Sequence, residues 1–390
     1  MTTELSNFAA RLRELIGNAQ SPIGNPQFSE LALELFALQL KYNPAYRKVC
    51  ASRKPMPGAL EHWTEIPPMP TAVFKELELT SIPPAERTAV FHSSGTTEQK
   101  PSRHFHCPAS LELYEASLWS SFLGNVQSDL RFTIYDLRLV CLTPPPAQAP
   151  HSSLVHMFET VRQKFGGESV PASPVFLGGV AADGSWTLNF DATLAALNES
   201  LVTRHPSLLL GTAFSFVHLL DYLAENNLRL QLPAGSRVME TGGYKNRSRS
   251  MPKSELHQLV TERLGVPPSH IICEYGMSEL SSQAYEGVTG DAWRVTGNGN
   301  LPCHSSLDTR HFRFPQWARV QIISPETGRD VAEGETGLIR VFDLANVFSV
   351  LGIQTEDLGV RRAEHFELIG RAQFAEPRGC SLMMAETRQS

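Results

Sequence analysis

The 390-residue sequence lacks the features that mark several large classes of protein. It has no run of about 18 consecutive apolar residues, which excludes an ordinary membrane-spanning helix. Its charged residues make up 19% of the chain and sum to −6, so no general basic surface for nucleic acid is predicted. The first residues (MTTELSNFAARLRELIGN) carry charges and no apolar core, unlike a secretory signal.

Cysteine is also scarce, and the six cysteines are Cys50, Cys107, Cys141, Cys273, Cys303 and Cys380. No two of them form a CxxC pair, so the spacing predicts neither a disulfide framework nor a structural zinc site. His104, His106 and Cys107 lie close together in HFHC, but they lack a convincing fourth ligand for zinc. We therefore expect a cytoplasmic protein with reduced thiols.

Helical and strand patterns alternate through the middle of the chain. Apolar residues recur at helical spacing at 29–42 and at roughly 108–127, 153–166, 191–204, 213–227 and 252–264. Short apolar runs lie between them at 138–143, 207–211, 236–243 and 270–276, whereas 53–87 reads as an irregular connector. Because such runs alternate with helices, they predict a largely parallel sheet. Later runs at 317–324, 336–343 and 365–372 predict an antiparallel sheet.

The segment FHSSGTTEQKPS, from Phe91 to Ser102, combines a glycine, several hydroxyl residues and Lys100. Backbone N–H and hydroxyl groups in such a loop can cradle phosphate oxygens, while a lysine adds positive charge. The loop is not a Walker A motif, because GxxxxGK[ST] is absent. An ordinary polar turn is the alternative interpretation.

Two further polar segments follow apolar runs. They are ETGGYK, from Glu240 to Lys245, and CEYGMSE, from Cys273 to Glu279. In open α/β sheets, ligands bind at the carboxyl ends of the strands, where both segments are expected to lie. Each one alone could also be a plain turn between a strand and a loop. A hydrolase is not favoured, because the sequence has no GxSxG elbow.

Together and in this order, these segments resemble motifs of the adenylate-forming superfamily of acyl and aryl ligases. SSGTTEQKPS is similar to its phosphate loop, and EYGMSE to its YGxTE motif, with Ser278 in place of the usual threonine. Thr355-Glu-Asp357 resembles the (S/T)xD motif, whose aspartate binds the ribose hydroxyls. Gly370-Arg371 resembles the pair that opens the hinge to the C-terminal lid.

The strings ETGGYK, EYGMSELSSQ, TEDLG and GRAQFAEPRGCSL resemble more narrowly the acyl-protein synthetases of the LuxE type, over roughly residues 90–385. This resemblance implies that a carboxylic acid and ATP form an acyl-adenylate and pyrophosphate. The acyl group then moves to a cysteine near the C-terminus, matched here by Cys380, and from there to a partner acyl reductase. Only twenty residues follow Gly370, which departs from the wider superfamily and its lid domain with a late catalytic lysine.

The resemblance implies an α/β fold with a large adenylate-forming N-terminal domain, in which mixed and parallel sheets are flanked by helices. A small antiparallel β subdomain follows, and the C-terminal lid domain is largely absent. The expected divisions are a helical or irregular segment at 1–88, a nucleotide- and acyl-binding core at 89–300, a β-rich subdomain at 301–370 and a short tail at 371–390.

The resemblance also implies a set of site residues. The catalytic candidates are Cys380, Lys100 and Arg371. The phosphate and nucleotide candidates are Ser93, Ser94, Gly95, Thr96, Thr97, Gly242, Gly243, Tyr244, Glu274, Tyr275, Gly276, Met277, Ser278 and Asp357. Glu279 is the candidate ligand for Mg²⁺, and the candidates for the acid pocket are Gly211, Phe214, Phe216 and His151.

Each of these assignments has a plainer alternative. Glu279 could be a solvated surface residue, Asp357 could cap a turn, and Arg371 could be an ordinary exposed arginine. Cys380 could be an incidental cysteine near the end of the chain. Core packing explains the apolar pocket candidates equally well, and a loop position explains His151.

The sequence therefore predicts an ATP- and Mg²⁺-dependent acyl-protein synthetase that activates a carboxylic acid, with a fatty acid favoured. The partners implied are the acid and an acyl-accepting protein, either a reductase or a carrier protein, and an oligomer is compatible with the sequence. One alternative is a ligase that loads carrier-protein phosphopantetheine or coenzyme A. The other is a nucleotide-binding module without turnover.

Overall fold

The computed structural model describes residues 3–18, 22–52, 60–93, 100–126, 137–165, 175–242, 251–288 and 310–372. The helices in these ranges are α1 (Thr3–Gly17), α2 (Asn25–Tyr42), α3 (Pro44–Ser52), α4 (Val73–Glu76), α5 (Pro108–Val126), α6 (Ser153–Phe165), α7 (Phe190–Thr203), α8 (Ala213–Glu225) and α9 (Lys253–Leu264). None of these helices is long and apolar enough to cross a membrane.

The strands in the same ranges are β1 (Met69–Pro70), β2 (Ala89–His92), β3 (Arg103–His106), β4 (Arg138–Cys141), β5 (Gly178–Val180), β6 (Trp186–Leu188), β7 (Ser207–Thr212), β8 (Arg237–Thr241), β9 (Ile271–Tyr275), β10 (Ala284–Val288), β11 (Arg310–Arg313), β12 (Ala318–Ile323), β13 (Thr336–Asp343), β14 (Gly352–Arg362) and β15 (His365–Arg371). Most of them form one eleven-stranded sheet in the order β12-β13-β14-β15-β11-β10-β9-β8-β7-β4, with β1 paired to β14. The hairpins β2–β3 and β5–β6 lie outside it.

The sheet has two halves that differ in strand direction. In the parallel half, β4, β7, β8 and β9 run side by side in the same direction. In the antiparallel half, β10 to β15 pair with opposite directions. The halves join where β10 pairs antiparallel with β9.

The parallel half is covered by helices on both faces. Successive strand residues point to opposite faces, so neighbours such as Leu208 and Leu209 belong to different core clusters. Leu209 packs with Phe216 of α8, whereas Leu208 packs with Phe158 of α6. Burial on both faces explains why these strands are continuous apolar runs in the sequence.

The antiparallel half is packed against the N-terminal helices. Phe28 and Leu35 of α2 belong to the same core cluster as Ile339 and Phe342 of β13. Buried and more exposed positions alternate along the first part of β13, as expected for a strand with one covered face. The N-terminal segment therefore completes the core of the antiparallel half.

The structure confirms the predicted α/β class and its mixed sheet with helices. The predicted helices from residue 108 onward agree with α5 to α9 to within a few residues, and the predicted strands agree with β4, β7, β8, β9, β12, β13 and β15. Helix α1 was not predicted, although its buried Leu5, Phe8, Leu12 and Ile16 follow helical spacing. Strand β14 was also not predicted, because its polar residues suggested a binding motif instead of a strand.

The predicted connector contains regular elements that the sequence did not indicate. The connector predicted at 53–87 is irregular for much of its described length, but it contains α4 and β1. The division predicted near residue 300 lies outside the described residues. Since β10 and β11 pair across it, the strands on both sides belong to one sheet.

Candidate active site

The carboxyl ends of β8 and β9 form the floor of the candidate site. Thr241 and Glu274 are register partners at these ends, and the Thr241 hydroxyl donates a hydrogen bond to the Glu274 carboxylate. Gly242 follows Thr241 with a φ of 81°, a left-handed conformation that favours glycine. Parallel strands bring these residues to one edge because they all end on the same side of the sheet.

Glu274 is buried, with 4% of its surface exposed. Burial raises its pKa to about 7, the Thr241 hydrogen bond opposes that shift, and the nearby Glu240 charge adds to it. Gly276 makes room for this carboxyl group, because a Cβ at position 276 would lie 2.4 Å from Glu274 Oε1. The glycine of the Glu-Tyr-Gly sequence therefore leaves room for the carboxyl group two positions before it.

Tyr275 joins the two halves of the sheet at the site. Its hydroxyl donates a hydrogen bond of 2.9 Å to Asp357 Oδ2 on β14, 82 residues away in sequence. Its ring lies edge-on to Phe312 and Phe366. Burial and the adjacent Asp357 raise the pKa of Tyr275 well above its ordinary value, so the phenol stays a neutral donor.

Glu279 is a buried carboxylate beside the stem of the predicted phosphate loop. Ser102 Oγ donates to Glu279 Oε1 at 2.5 Å, and Ser278 Oγ donates to Oε2 at 3.0 Å. His104 on β3 contacts the Ser278 carbonyl oxygen through Nδ1 at 2.8 Å. With 5% of its surface exposed, Glu279 is not the solvated residue of the plainer alternative.

The hairpin β2–β3 holds the two ends of the predicted phosphate loop together. The backbone N–H of Ser102 donates to Ser93 Oγ at 3.0 Å. Lys100 is exposed, and its Nζ lies 3.8 Å from Glu76 Oε2 on α4. The loop residues Ser94, Gly95, Thr96 and Thr97 lie outside the described residues.

A buried pair of polar residues that the sequence did not predict holds the segment carrying Glu279. Asp343, at the end of β13, accepts from the Ser281 N–H at 2.9 Å and from Ser282 Oγ at 2.7 Å. Asn346 donates to the Glu279 carbonyl oxygen at 3.0 Å. We call Asp343 and Asn346 the clamp, because they fasten the Glu279 segment to the antiparallel half.

Burial also shifts the pKa of Asp343, the acidic residue of the clamp. Burial raises the pKa of Asp343 to about 6, although hydrogen bonds from Ser282, Ala345 and Ser281 oppose the shift. No local sequence pattern indicates this role, since Asp343 and Ser281 are 62 residues apart. An aspartate after an apolar strand looks like an ordinary turn residue.

A small cavity of about 60 Å³ opens beside the floor of the site. Glu274, Gly276 and Met277 line one side of it, and Tyr114 of α5 and Met157 of α6 line the other. These helices cover the face of the parallel half toward which Glu274 points.

The predicted acid-pocket residues lie elsewhere. Phe216 is wholly buried in the core cluster on the α8 face, opposite the cavity. A Cβ on Gly211 would meet Ser215 Oγ at 2.8 Å, so this glycine permits close packing of α8 on β7. Phe214 contacts His218 edge-on, at 4.3 Å between ring centroids. Core packing accounts for Gly211 and Phe216, and their role in acid binding stays a prediction.

His151 and Arg371 lie at the borders of the site. The ring of His151 stacks on His92, next to the phosphate-loop stem, at 4.6 Å between centroids. Arg371 is the register partner of Asp357 and forms an exposed ion pair with Glu356 at 3.3 Å. The candidates Cys380, Gly243 and Tyr244 lie outside the described residues.

Histidine, cysteine and acidic side chains do not gather in groups of three or more that could hold a metal ion, within the described ranges. This also applies to HFHC, where His104 contacts Ser278 and His106 contacts Ser110 Oγ at 3.2 Å. Glu279 fits Mg²⁺ as a single protein carboxylate, a mode common where substrate phosphates supply further oxygens. Its hydrogen-bond partners Ser102 and Ser278 are neutral hydroxyl groups.

Comparison with known proteins places the chain in a family. The family model described as "Acyl-protein synthetase, LuxE" matches residues 8–388. The long-chain-fatty-acid–luciferin-component ligase of Aliivibrio fischeri is 23% identical, over 92% of this chain and 88% of its own. The ligase of the same name from Vibrio harveyi is 22% identical, over 88% of this chain and 83% of its own.

The fold is similar to that of a solved 2-hydroxyisobutyryl-CoA ligase. Its open conformation, in complex with 2-HIB-AMP and CoA, has a TM-score of 0.59 at 13% identity and covers 89% of this chain and 74% of that one. Its postadenylation state with 2-HIB-AMP has a TM-score of 0.61 at 12% identity and covers 89% and 67%. These findings confirm the predicted family, the adenylate-forming fold and the ligase class.

Proposed function

We propose that this chain uses ATP to activate a fatty acid. The chain belongs to the LuxE family of acyl-protein synthetases, and it is a ligase of the adenylate-forming kind. The acid becomes an acyl-adenylate with release of pyrophosphate. The acyl group is then transferred to the thiol of Cys380 and delivered from there to an acceptor protein.

The observation that carries this proposal is the convergence of three distant motifs at one edge of the sheet. Ser102 of the phosphate-loop stem contacts Glu279, and Tyr275 of the same segment contacts Asp357. The residues that bind the phosphates, the metal ion and the ribose of one nucleotide would have to lie within the length of that nucleotide. The contacts among these residues are consistent with such a site.

Asp357 is suited to hold the ribose of ATP. Its Oδ2 accepts from Tyr275, which orients the carboxylate. Gly242, with its positive φ, allows the backbone to approach a flat base closely. We assign the adenine side of the site to Gly242, Gly243, Tyr244 and Tyr275.

The adenylation step brings together two negatively charged reactants. An oxygen of the acid's carboxylate attacks the α-phosphorus of ATP, and the bond from that phosphorus to pyrophosphate breaks. Ser93, Ser94, Thr96, Thr97 and Lys100 would bind the phosphates. Glu279 would hold Mg²⁺, which supplies neutralising charge when bound.

The transfer step needs a thiolate. The sulfur of Cys380 attacks the acyl carbonyl, a thioester forms and AMP leaves with the mixed-anhydride oxygen. Arg378, two residues away, would lower the pKa of this thiol. Arg371, at the end of β15, precedes this segment and would contact the ribose or a phosphate.

The test measures pyrophosphate and the covalent adduct in the same reactions. Wild type, Cys380→Ser and the matched control Cys303→Ser are incubated with ATP, Mg²⁺ and a panel of fatty, aryl and hydroxy acids. We expect acid-dependent pyrophosphate from all three proteins. We expect the mass gain of one acyl group in wild type and Cys303→Ser but not in Cys380→Ser.

The alternatives give different results. Steady pyrophosphate release on addition of coenzyme A or a carrier protein, with no adduct on wild type, would favour the carrier-loading ligase. ATP binding without pyrophosphate from any acid would favour the nucleotide-binding module.

A further inference from the structure

Helix α2 carries a glutamine on its buried, apolar face. Phe28, Leu35 and Gln39 follow one another at helical spacing, and all three side chains are wholly buried. A buried amide without hydrogen bonds would destabilise the fold, so Gln39 needs partners inside the core.

The partners of Gln39 lie in the loop that follows β13. Its Nε2 donates to the carbonyl oxygens of Asn346 at 2.9 Å and Val347 at 3.3 Å. Its Oε1 accepts from the backbone N–H of Leu351 at 2.9 Å. One side chain thus bridges the beginning and the end of this loop, more than 300 residues away in sequence.

The loop, residues 344–351, is buried along its whole length. Each of its residues is 4% exposed or less, although none belongs to a helix or strand. Buried loops are uncommon because their peptide groups lose water and need other partners. Gln39 supplies three hydrogen bonds, and Asn43, one turn further along, donates to the Ser349 carbonyl oxygen at 3.2 Å. The N-terminal segment therefore helps to determine the path of the loop.

Asn346 connects this loop to the segment that carries Glu279. Its Nδ2 donates to the Glu279 carbonyl oxygen at 3.0 Å, and its Oδ1 accepts from Ser281 Oγ at 2.7 Å. Gln39 binds the main chain of the same asparagine. Two hydrogen bonds and one residue therefore separate α2 from Glu279, and a shift of the loop would displace the Glu279 segment.

We infer that Gln39 is a positioning residue for the adenylation step, because it fixes Asn346 and, through Asn346, the segment that carries Glu279. This inference rests on the proposed function. It gives the N-terminal helical segment a part in the reaction beyond its packing against the antiparallel half. Contacts that hold a metal ligand in place are commonly worth about tenfold to a hundredfold in metal affinity or activity.

The first experiment measures acid-dependent exchange of pyrophosphate into ATP by the full chain. Gln39→Met replaces the amide by an apolar group of similar size, and the control Gln27→Met makes the same change at an exposed position of α2. For Gln39→Met, we expect the Mg²⁺ concentration that gives half the maximal rate to rise about tenfold, with an unchanged KM for the acid. Gln27→Met should behave as wild type.

The second experiment measures amide hydrogen exchange in the chain without ATP, Mg²⁺ or acid. In Gln39→Met, the peptides that cover residues 344–351 and 278–282 should exchange faster than in wild type, whereas β7 should be unchanged. Leu12→Ala, in α1, is the stability control, because it leaves a gap in the same core cluster as Phe28 and Leu35 and removes no polar group. It should change neither the Mg²⁺ dependence nor hydrogen exchange at 278–282.

A conservative variant keeps the inference testable if Gln39→Met does not fold. Gln39→Glu retains the acceptor for the Leu351 N–H and, in the protonated form that burial favours, one donor. We expect Gln39→Glu to need more Mg²⁺ than wild type and less than Gln39→Met.

Two results would overturn the inference and leave the proposed function intact. The Mg²⁺ dependence could change equally in the Gln39 variants and in Leu12→Ala, as a purely structural role would predict. Faster hydrogen exchange could also stay confined to residues 344–351, without reaching 278–282. A wild type that exchanges pyrophosphate with no acid would instead contradict the proposed function, and the inference with it.

Discussion

In the parallel half of the sheet, Thr241 and Glu274 lie where their strands end, whereas in the antiparallel half Asp357 lies within β14 and has strand on both sides. The parallel strands deliver side chains to a common edge by their direction alone. The antiparallel strands deliver theirs through register, which sets Asp357 opposite Arg371 and within reach of Tyr275. Strand direction thus places Thr241 and Glu274 in the floor of the site, and strand register places Asp357 within reach of that floor.

The two halves also differ in the surroundings of their buried carboxyl groups. In the parallel half, Glu274 is buried with a hydroxyl partner, and because its pKa is raised to about 7 it is about half protonated at pH 7. In the antiparallel half, Asp343 is buried among several donors that bind its carboxylate. One carboxyl group lines a cavity beside the floor of the site, and the other fixes the segment that carries Glu279.

Replacement of Glu279, at the junction of the halves, should have the largest effect. Glu279→Ala removes the candidate metal ligand, so we expect acid-dependent pyrophosphate exchange to fall by on the order of a hundredfold to a thousandfold. Circular dichroism should show an unchanged fold. The control Glu262→Ala, on α9, should retain full exchange, and equal activity of the two variants would exclude Glu279 from the chemistry.

Loss of the clamp should lower stability most within the antiparallel half. Asp343→Ala leaves the Ser281 and Ala345 N–H groups and the Ser282 hydroxyl without their acceptor. We expect the free energy of unfolding in urea to fall by about 3 kcal/mol. Asp330→Ala removes only a 3.2 Å contact from Gln321, so it should cost about 1 kcal/mol or less. Similar losses for both would contradict the clamp.

In the parallel half, Glu274→Gln should change the pH dependence of stability. Because the pKa of Glu274 is raised to about 7 in the folded chain, its contribution to stability is complete below about pH 4.5 and is lost as the pH rises to about 7. At pH 8 the variant should therefore be more stable than wild type, by on the order of 2 kcal/mol. Urea unfolding at pH 5 and pH 8 measures this.

The contribution of Asp343 serves as the internal control for that experiment. Because the pKa of Asp343 is raised to about 6, its contribution to stability is lost at a lower pH than that of Glu274. The Glu274→Gln variant should keep this contribution of Asp343 and its pH dependence. A difference in stability between the two proteins that stays constant from pH 5 to pH 8 would contradict the titration of Glu274.

The smallest effect is expected from the contact that joins the halves. Tyr275→Phe removes the hydroxyl that orients Asp357, at a cost of about 1 kcal/mol in nucleotide binding. We expect the KM for ATP to rise about fivefold, while Asp357→Ala should raise it further. An unchanged KM for ATP in both variants would show that Asp357 does not bind the ribose.

The sequence predicted the parallel half well, because burial on both faces gives continuous apolar runs such as those of β7 and β9. It also indicated Glu279 and Asp357, which belong to short motifs. It did not indicate Asp343. The role of Asp343 depends on contacts with residues distant in sequence, and such contacts leave no local pattern.

The most direct test of the central claim is a crystal structure of the full chain with a non-hydrolysable acyl-adenylate analogue, an acyl sulfamoyl adenosine. We predict the ribose hydroxyls at Asp357 and the sulfamate between Glu279 and the carboxyl ends of β8 and β9. An analogue bound away from the junction of the two halves, or with its ribose out of reach of Asp357, would contradict the claim.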